Sequence, residues 1–268
     1  MSGSGELRYP RLQDVFKGKP MTARKYLIAI SCIIALLPEI ADAAEIKVMT
    51  DTPVASVLAR IGDVFHRDTG NQVKLVFGLS PAIEKKIADG EAADVVVIQP
   101  NFVNNLVDSG KIVGGQFPTI ARVGIGLFAR ADGNTPDVST VATFKQALLD
   151  ADMLVFSNVA AGNYFATVLE RLGIADAVKD KVVRANPTDV IARIVESKGN
   201  DIGVISMTLL VADKRLRLVG ALPAEYQSYL YYTAASMVAS QSPDAAKEFV
   251  QFLTSPAAKK EFAAAGAN

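Results

Sequence analysis

From Glu45 onward the chain alternates between short apolar runs and stretches whose apolar residues recur every three or four positions. The first pattern is that of buried strands, the second that of helices with one packed face. Residues 45–49 predict a strand, followed by a polar turn at Thr50-Asp51-Thr52-Pro53. Val54, Val57, Leu58, Ile61, Val64 and Phe65 then share one helix face, which Asp68-Thr69-Gly70-Asn71 ends. Residues 73–77 predict a second strand and 82–88 a helix. A third, parallel-type strand is predicted at 94–98, and a short helix at 101–107 closed by Gly110. This order implies a parallel sheet covered by helices.

Thr119–Arg130 is long for a simple strand and carries Gly124 and Gly126. It reads as a crossing between two lobes. A capped helix at 140–149 follows, then a strand at 153–156, a small-residue loop at 157–162 and a helix at 163–172. Further strands are predicted at 181–184, 201–206 and 216–219, and a helix at 188–195. The β-rich segment 227–239 holds three tyrosines and reads as the return crossing; helices at 244–253 and 256–265 close the chain, with Pro243 and Pro256 at their starts. The fold class expected is therefore α/β with two lobes and two crossings.

Two of these connections share a design. In each, a strand feeds a turn of small residues into a helix N-terminus: 157–162 in one case, Gly78-Leu79-Ser80-Pro81 in the other. The first backbone N–H groups of a helix lack intrahelical partners, and the helix dipole adds positive potential there. A single such connection is most simply an ordinary strand-to-helix link. A pair of them is what a two-lobed binder of small anions needs.

The N-terminal segment has a different pattern. Arg24 and Lys25 precede an apolar run at 26–37, then Pro38 and the small-residue site Ala41-Asp42-Ala43. This predicts a secretory signal peptide cleaved after Ala43, with Met21 as the start and residues 1–20 as upstream sequence. The run is short for a membrane span. The only cysteine, Cys32, lies within it, so the mature chain is expected to hold no thiol nucleophile and no disulfide.

Composition narrows the function. The 268 residues are 50% hydrophobic and carry 28 basic and 28 acidic side chains. Residues 1–43 hold six basic and four acidic groups, so their removal leaves a net charge of −2. That balance argues against nucleic acid or an acidic membrane as partner. His66 is the single histidine, and its place at the end of a helix predicts an exposed one; no histidine cluster for metal and no Gly-x-Ser-x-Gly elbow occurs. No cofactor, metal or catalytic set is expected on these grounds.

Taken together, Glu45-Ile-Lys-Val-Met49, Phe77-Gly-Leu-Ser80, Gly90-Glu-Ala-Ala-Asp-Val95, Val159-Ala-Ala-Gly-Asn-Tyr164, Asp201-Ile-Gly-Val-Ile-Ser206 and Ser255-Pro-Ala-Ala258 resemble the periplasmic molybdate-binding proteins, the solute-binding components of ABC importers. The resemblance covers residues 45–268. It implies a periplasmic monomer of two α/β lobes, one formed by residues 44–121 with 232–268 and the other by 122–231. A small anion would lie between them, and the membrane component of an ABC importer would be the partner. It places ligand contacts at Ser80 and at backbone donors of Ala161, beside Gly162, and Val190. Two positions depart. The serine of the first turn falls at Pro53, leaving Thr50 and Thr52 as the nearby hydroxyls, and a tyrosine falls at Ser206. The identity of the anion is left open by these departures.

Arg122, at the first crossing, admits two readings. It could clamp a carboxylate or phosphate, or act as a hinge arginine paired with an acid such as Asp51 or Asp94. Asp189 is expected to cap its helix or tie its loop, and Asp94 to anchor a loop. The aconitate isomerases resemble the same family, which keeps a second function in view. Moving a proton beside a carboxylate requires a base and a cationic anchor. Arg122 would be the anchor, and Tyr164 or Asp51 would handle the proton.

Overall fold

The computed structural model describes residues 43–115, 117–210 and 213–268. The predicted signal peptide as far as Asp42, the predicted upstream segment and Cys32 lie outside them. Eight strands form one continuous hydrogen-bonded path in the order β2-β1-β3-β9-β4-β7-β5-β6, and a ninth, β8, pairs with β4 off that path. The path has two halves.

In the first half, β1 (Glu45–Asp51) runs parallel to β2 (Gln72–Gly78) and to β3 (Val95–Ile98). Helices α1 (Thr52–Thr69), α2 (Ser80–Ala88) and α3 (Pro100–Asp108) follow these strands in turn. The apolar face of α1 places Val57, Leu58, Ile61 and Phe65 in a core with Ile46, Val48 and Val95. Two late helices, α8 (Pro243–Phe252) and α9 (Pro256–Ala264), complete that core through Phe249 and Phe262.

In the second half, β5 (Leu154–Ser157) runs parallel to β6 (Val182–Ala185) and β7 (Ile202–Ser206). Helix α4 (Val141–Asp150) precedes β5, α5 (Ala160–Arg171) and the short α6 (Ala175–Val178) follow it, and α7 (Pro187–Glu196) follows β6. Thr140 caps α4 through a reciprocal capping box with Thr143. The core here is built on Leu127, Phe144, Leu154, Phe165 and Val204.

Two strands join the halves. β4 (Thr119–Arg130) pairs with β9 (Tyr229–Ser236) up to Gly124, and from Ile125 onward with β7 and β8 (Leu216–Ala221). β9 in turn bonds β3 through Thr233 to Ser236. The architecture is thus α/β and two-lobed, with two crossings.

Several element boundaries correct the sequence reading. Thr50 and Asp51 end β1 instead of forming a turn, and Thr52 and Pro53 open α1. Pro53 satisfies this because the first helical N–H has no partner to lose. Gly124 and Gly126 do not break β4, which is continuous. They make room instead: a Cβ on either would stand 2.7 Å from the Met207 side chain. Met207 opens a 3-10 turn (Met207–Leu209) that periodicity did not reveal. In that turn the buried Thr208 hydroxyl donates to the Pro53 carbonyl, a tie between the halves. Among the described residues no helix is long and apolar enough to cross a membrane.

Candidate functional site

Parallel strands deliver their following loops to one edge of the sheet, and ligands of open α/β sheets lie at the carboxyl ends of the strands. Here those ends supply Asp51 of β1, Gln99 after β3, Ser157 of β5 and Ser206 of β7. All four line one cavity of about 310 Å³. Its wall also holds the first turns of five helices: Thr52 and Pro53 of α1, Ser80 and Pro81 of α2, Asn101 and Phe102 of α3, Ala160 and Ala161 of α5, and Pro187 of α7. Leu230 and Tyr232 of β9 and Leu209 of the 3-10 turn also line it, with Leu79, Val159 and Ile205. Both halves contribute. No lysine, arginine or histidine is among the lining residues; Asp51 is the only charged one.

Helix N-termini aimed at a common space impose a positive potential without a cation. The donors themselves are fewer than the helices. Prolines occupy the first turns of α1, α2, α3 and α7 and remove an N–H there.

The expected site residues fall into three groups. Thr52, Ser80, Ala161 and Ser206 line the cavity. The Thr52 hydroxyl is engaged, donating to Gly78 O at 3.1 Å. Ser80 is fully buried; its hydroxyl donates to Asp51 Oδ2 and accepts from Gln99 N at 3.2 Å. Ala161 sits at the second position of α5, and Ser206 is buried at the end of β7.

Thr50 and Gly162 support the wall from behind. Thr50 is buried, with its hydroxyl 3.4 Å from Asp51 O. Gly162 N donates to Ser157 Oγ at 3.1 Å, so it is not a free donor. A Cβ on Gly162 would lie 1.8 Å from Ser157 O; only glycine permits this approach of helix to loop. Arg184 fastens the same loop from outside, donating from Nε to Ser157 O at 3.2 Å.

Arg122 and Val190 are not among the residues that line the cavity. Val190 N bonds Asn186 O at 3.0 Å within the helix ladder, and the Val190 side chain is core. Arg122 lies over the Tyr229 ring at 4.3 Å, and its backbone exchanges two hydrogen bonds with Asn268. Its guanidinium rests on an aromatic face, and no acid pairs with it among the described residues. Asp94 is unavailable to it: the carboxylate accepts from Ser240 Oγ and from the backbone of Lys47, Gln241 and Ser242. Burial pushes the Asp94 carboxyl up, and those bonds outweigh burial and hold it below its ordinary value. Asp189 ties the start of α7, accepting from Asn186 Nδ2 at 2.7 Å while Asn186 caps the helix. Tyr164 is likewise outside the cavity, donating to Tyr226 O. His66 is exposed, as its position suggested, with Nδ1 3.0 Å from Gly70 O.

The chemistry of the cavity concentrates on residues that the sequence reading left aside or weighed differently. Asp51 is buried; its Oδ2 receives Ser80 Oγ and Gln99 Nε2, while Oδ1 has no partner. Burial raises its carboxyl above the ordinary value, against the lowering effect of those bonds. The Tyr232 hydroxyl is also buried without a partner, and burial together with the nearby Asp51 holds its pKa well above the ordinary one. Gln99 was legible as the residue between a buried strand and the proline of the next helix. Tyr232 was one tyrosine of three in a β-rich segment, with nothing to single it out. Among the described residues no group of three or more His, Cys, Asp or Glu side chains could hold a metal.

A fold of two α/β halves with a cavity at the strand ends of both defines a class of ligand-capturing proteins. Residues 46–268 match the family described as bacterial extracellular solute-binding protein, and the chain belongs to that family. It is similar to the aconitate isomerase of a Pseudomonas species, 25% identical over 260 residues, covering 94% of each chain. It is also similar to the molybdate-binding protein ModA of Haemophilus influenzae, 24% identical over 226 residues, covering 82% of this chain and 88% of that one. In three dimensions it resembles the periplasmic molybdate-binding protein of Azotobacter vinelandii with a TM-score of 0.69 at 20% identity, covering 83% and 98% of the two chains.

Proposed function

We propose that this protein is a periplasmic receptor that captures a small anion in the cavity between its lobes and presents it to an ABC importer. One observation carries the reading: five helix N-termini line a single cavity that contains no basic side chain. This is the arrangement that stabilises an anion by backbone dipoles and neutral donors. Membership of the solute-binding family and likeness to molybdate-binding proteins support it. Ser80, Ala161, Ser206 and Tyr232 are the proposed ligand contacts, with Thr52 and Gly162 shaping the wall. The lobes are taken as 44–121 with 232–268, and 122–231. Residues 1–43 are read as targeting sequence and the mature protein as a monomer. The test is calorimetry of the mature protein with molybdate, tungstate, sulfate, phosphate and di- or tricarboxylates. Absence of binding to all of them would sink the proposal.

A second reading has its own support. The relative named aconitate isomerase aligns along 94% of each chain, and Asp51 offers a buried carboxyl with a raised pKa inside the cavity. The anchor and the alternative base considered from sequence, Arg122 and Tyr164, do not line it. Incubation with trans-aconitate, followed by NMR for the cis isomer, separates the two. Turnover would make the protein an enzyme; tight binding without turnover would leave it a receptor.

A further inference from the structure

A cavity built to hold an anion also contains a carboxylate, and the two conflict unless a proton lies between them. Asp51 is 2% exposed and Tyr232 is fully buried; both residues line the cavity, and each keeps one buried oxygen without a hydrogen-bond partner. Buried polar atoms are nearly always satisfied, so two orphans in one cavity mark positions that a ligand fills. The distribution of bonds on Asp51 is uneven. Oδ2 accepts from both Ser80 Oγ and Gln99 Nε2, while Oδ1 accepts from nothing. Oδ1 is therefore the oxygen free to carry a proton, with Oδ2 as the carbonyl oxygen, when Asp51 becomes an acid.

We infer that Asp51 binds the anion as an acid, its Oδ1–H donating to one ligand oxygen beside the Tyr232 hydroxyl, so that ligand and proton are taken up together. The ligand class is then a fully deprotonated oxyanion or carboxylate, since a ligand arriving with its own proton would not need one from Asp51. This rests on the anion-binding reading above.

The surroundings leave Asp51 as the group that titrates. Tyr232 is the other ionisable side chain lining the cavity, and its pKa is raised, not lowered. On the elements packed against β1, Lys74 of β2 pairs with Glu45 at the opposite end of the strand. Lys47 pairs with Glu91, and Arg60 of α1 with Glu261. On α2, Lys85 pairs with Asp89 and Lys86 lies near Glu91, and none of them lines the cavity.

The experiment is calorimetric titration of the wild-type protein with sulfate, molybdate and trans-aconitate from about pH 6 to about pH 9, where the proton balance must come from the protein. Each pH is measured in two buffers of different ionisation enthalpy, and Asp51→Asn is run alongside. Affinity is expected to fall by up to about tenfold per pH unit above the Asp51 pKa, with buffer-dependent heat showing proton uptake. Asp51→Asn, which offers a permanent N–H donor, should bind with an affinity that no longer depends on pH and that exceeds wild type at the alkaline end. Binding by wild type that is flat with pH and independent of buffer would overturn the inference while leaving the anion reading intact. Loss of binding in a folded Asp51→Asn protein would also overturn it, since Asp51 would then be an acceptor. No binding of any of the three anions at any pH would remove the anion reading and this inference with it. The buffer-dependent heat of the wild type decides the matter even if the variant fails to fold.

Discussion

Asp51 of β1 and Tyr232 of β9 line the same cavity, and each holds one buried oxygen with no hydrogen-bond partner among the described residues. Strand order places β3 between their strands, so the two approach from elements that the chain makes far apart. The arrangement sacrifices stability for a ligand, and its effect on folding can be measured without any ligand.

Burial keeps the folded-state pKa of Asp51 above its unfolded value, so the folded state holds this proton more tightly. Ionisation therefore costs stability as pH rises from the unfolded pKa through the folded one, and the cost persists above it. Asp51→Asn is neutral throughout. It should melt higher than wild type at pH 8, with the advantage disappearing below about pH 4, where both states are protonated. Scanning calorimetry of ligand-free protein checks this; an equal or lower melting temperature at pH 8 contradicts it.

Ser80 donates to Asp51 and accepts from Gln99, so Ser80→Ala leaves two buried groups each short of a partner. A stability loss of about 1–3 kcal/mol is expected, with weaker anion binding because Asp51 is no longer aimed. Urea unfolding and calorimetry report the two effects separately. Unchanged stability would show that Ser80 is not the support the geometry makes it.

Gly162→Ala puts a methyl group where the Ser157 carbonyl already stands. Because the obstacle is backbone, α5 must withdraw from its loop. A cost of at least ~3 kcal/mol is expected, at the upper end of overpacking effects. Ser157→Ala, which removes only the hydroxyl bonded to Gly162 N, should cost less.

Arg122→Ala should leave anion affinity within about twofold of wild type, because the guanidinium lies over Tyr229 and outside the cavity. Its expected cost is to stability, about 0.5–1 kcal/mol for a half-buried cation–π contact. A tenfold loss of affinity would restore Arg122 to the binding site.

Thr208→Val keeps the shape of the side chain and removes the hydroxyl that reaches the Pro53 carbonyl. This is a hydrogen bond between the two halves. The ligand-free variant should show a larger radius of gyration by small-angle scattering than wild type. The same radius in both would mean that the tie does not restrain opening.

Much of this structure was legible from pattern. The alternation of apolar runs and helical faces gave the order of strands and helices, and the resemblance to the molybdate-binding proteins named Ser80 and Ala161, both of which line the cavity. The limits have physical causes. Sequence spacing places a backbone N–H near a helix start but does not say whether it is already bonded, and Val190 N is. A charge at a crossing does not reveal which way its side chain turns, and Arg122 turns to an aromatic ring. Asp51 was readable as a turn residue because its neighbours are polar. Its burial depends on Ser80 and Gln99, which only the fold brings to it.

The crossing strands also set the order in which the molecule can be assembled. Val95 of β3 finds its partner in Ser236, and Thr119 of β4 finds Thr233, so the first sheet stays unfinished until residue 236 exists. Phe249 and Phe262 reach its core later still. Contacts so distant along the chain make folding slow, because the closure entropy comes before the reward. The pairing of residues 95–98 and 119–124 with residues 229–236 therefore cannot form until more than four-fifths of the chain has been made.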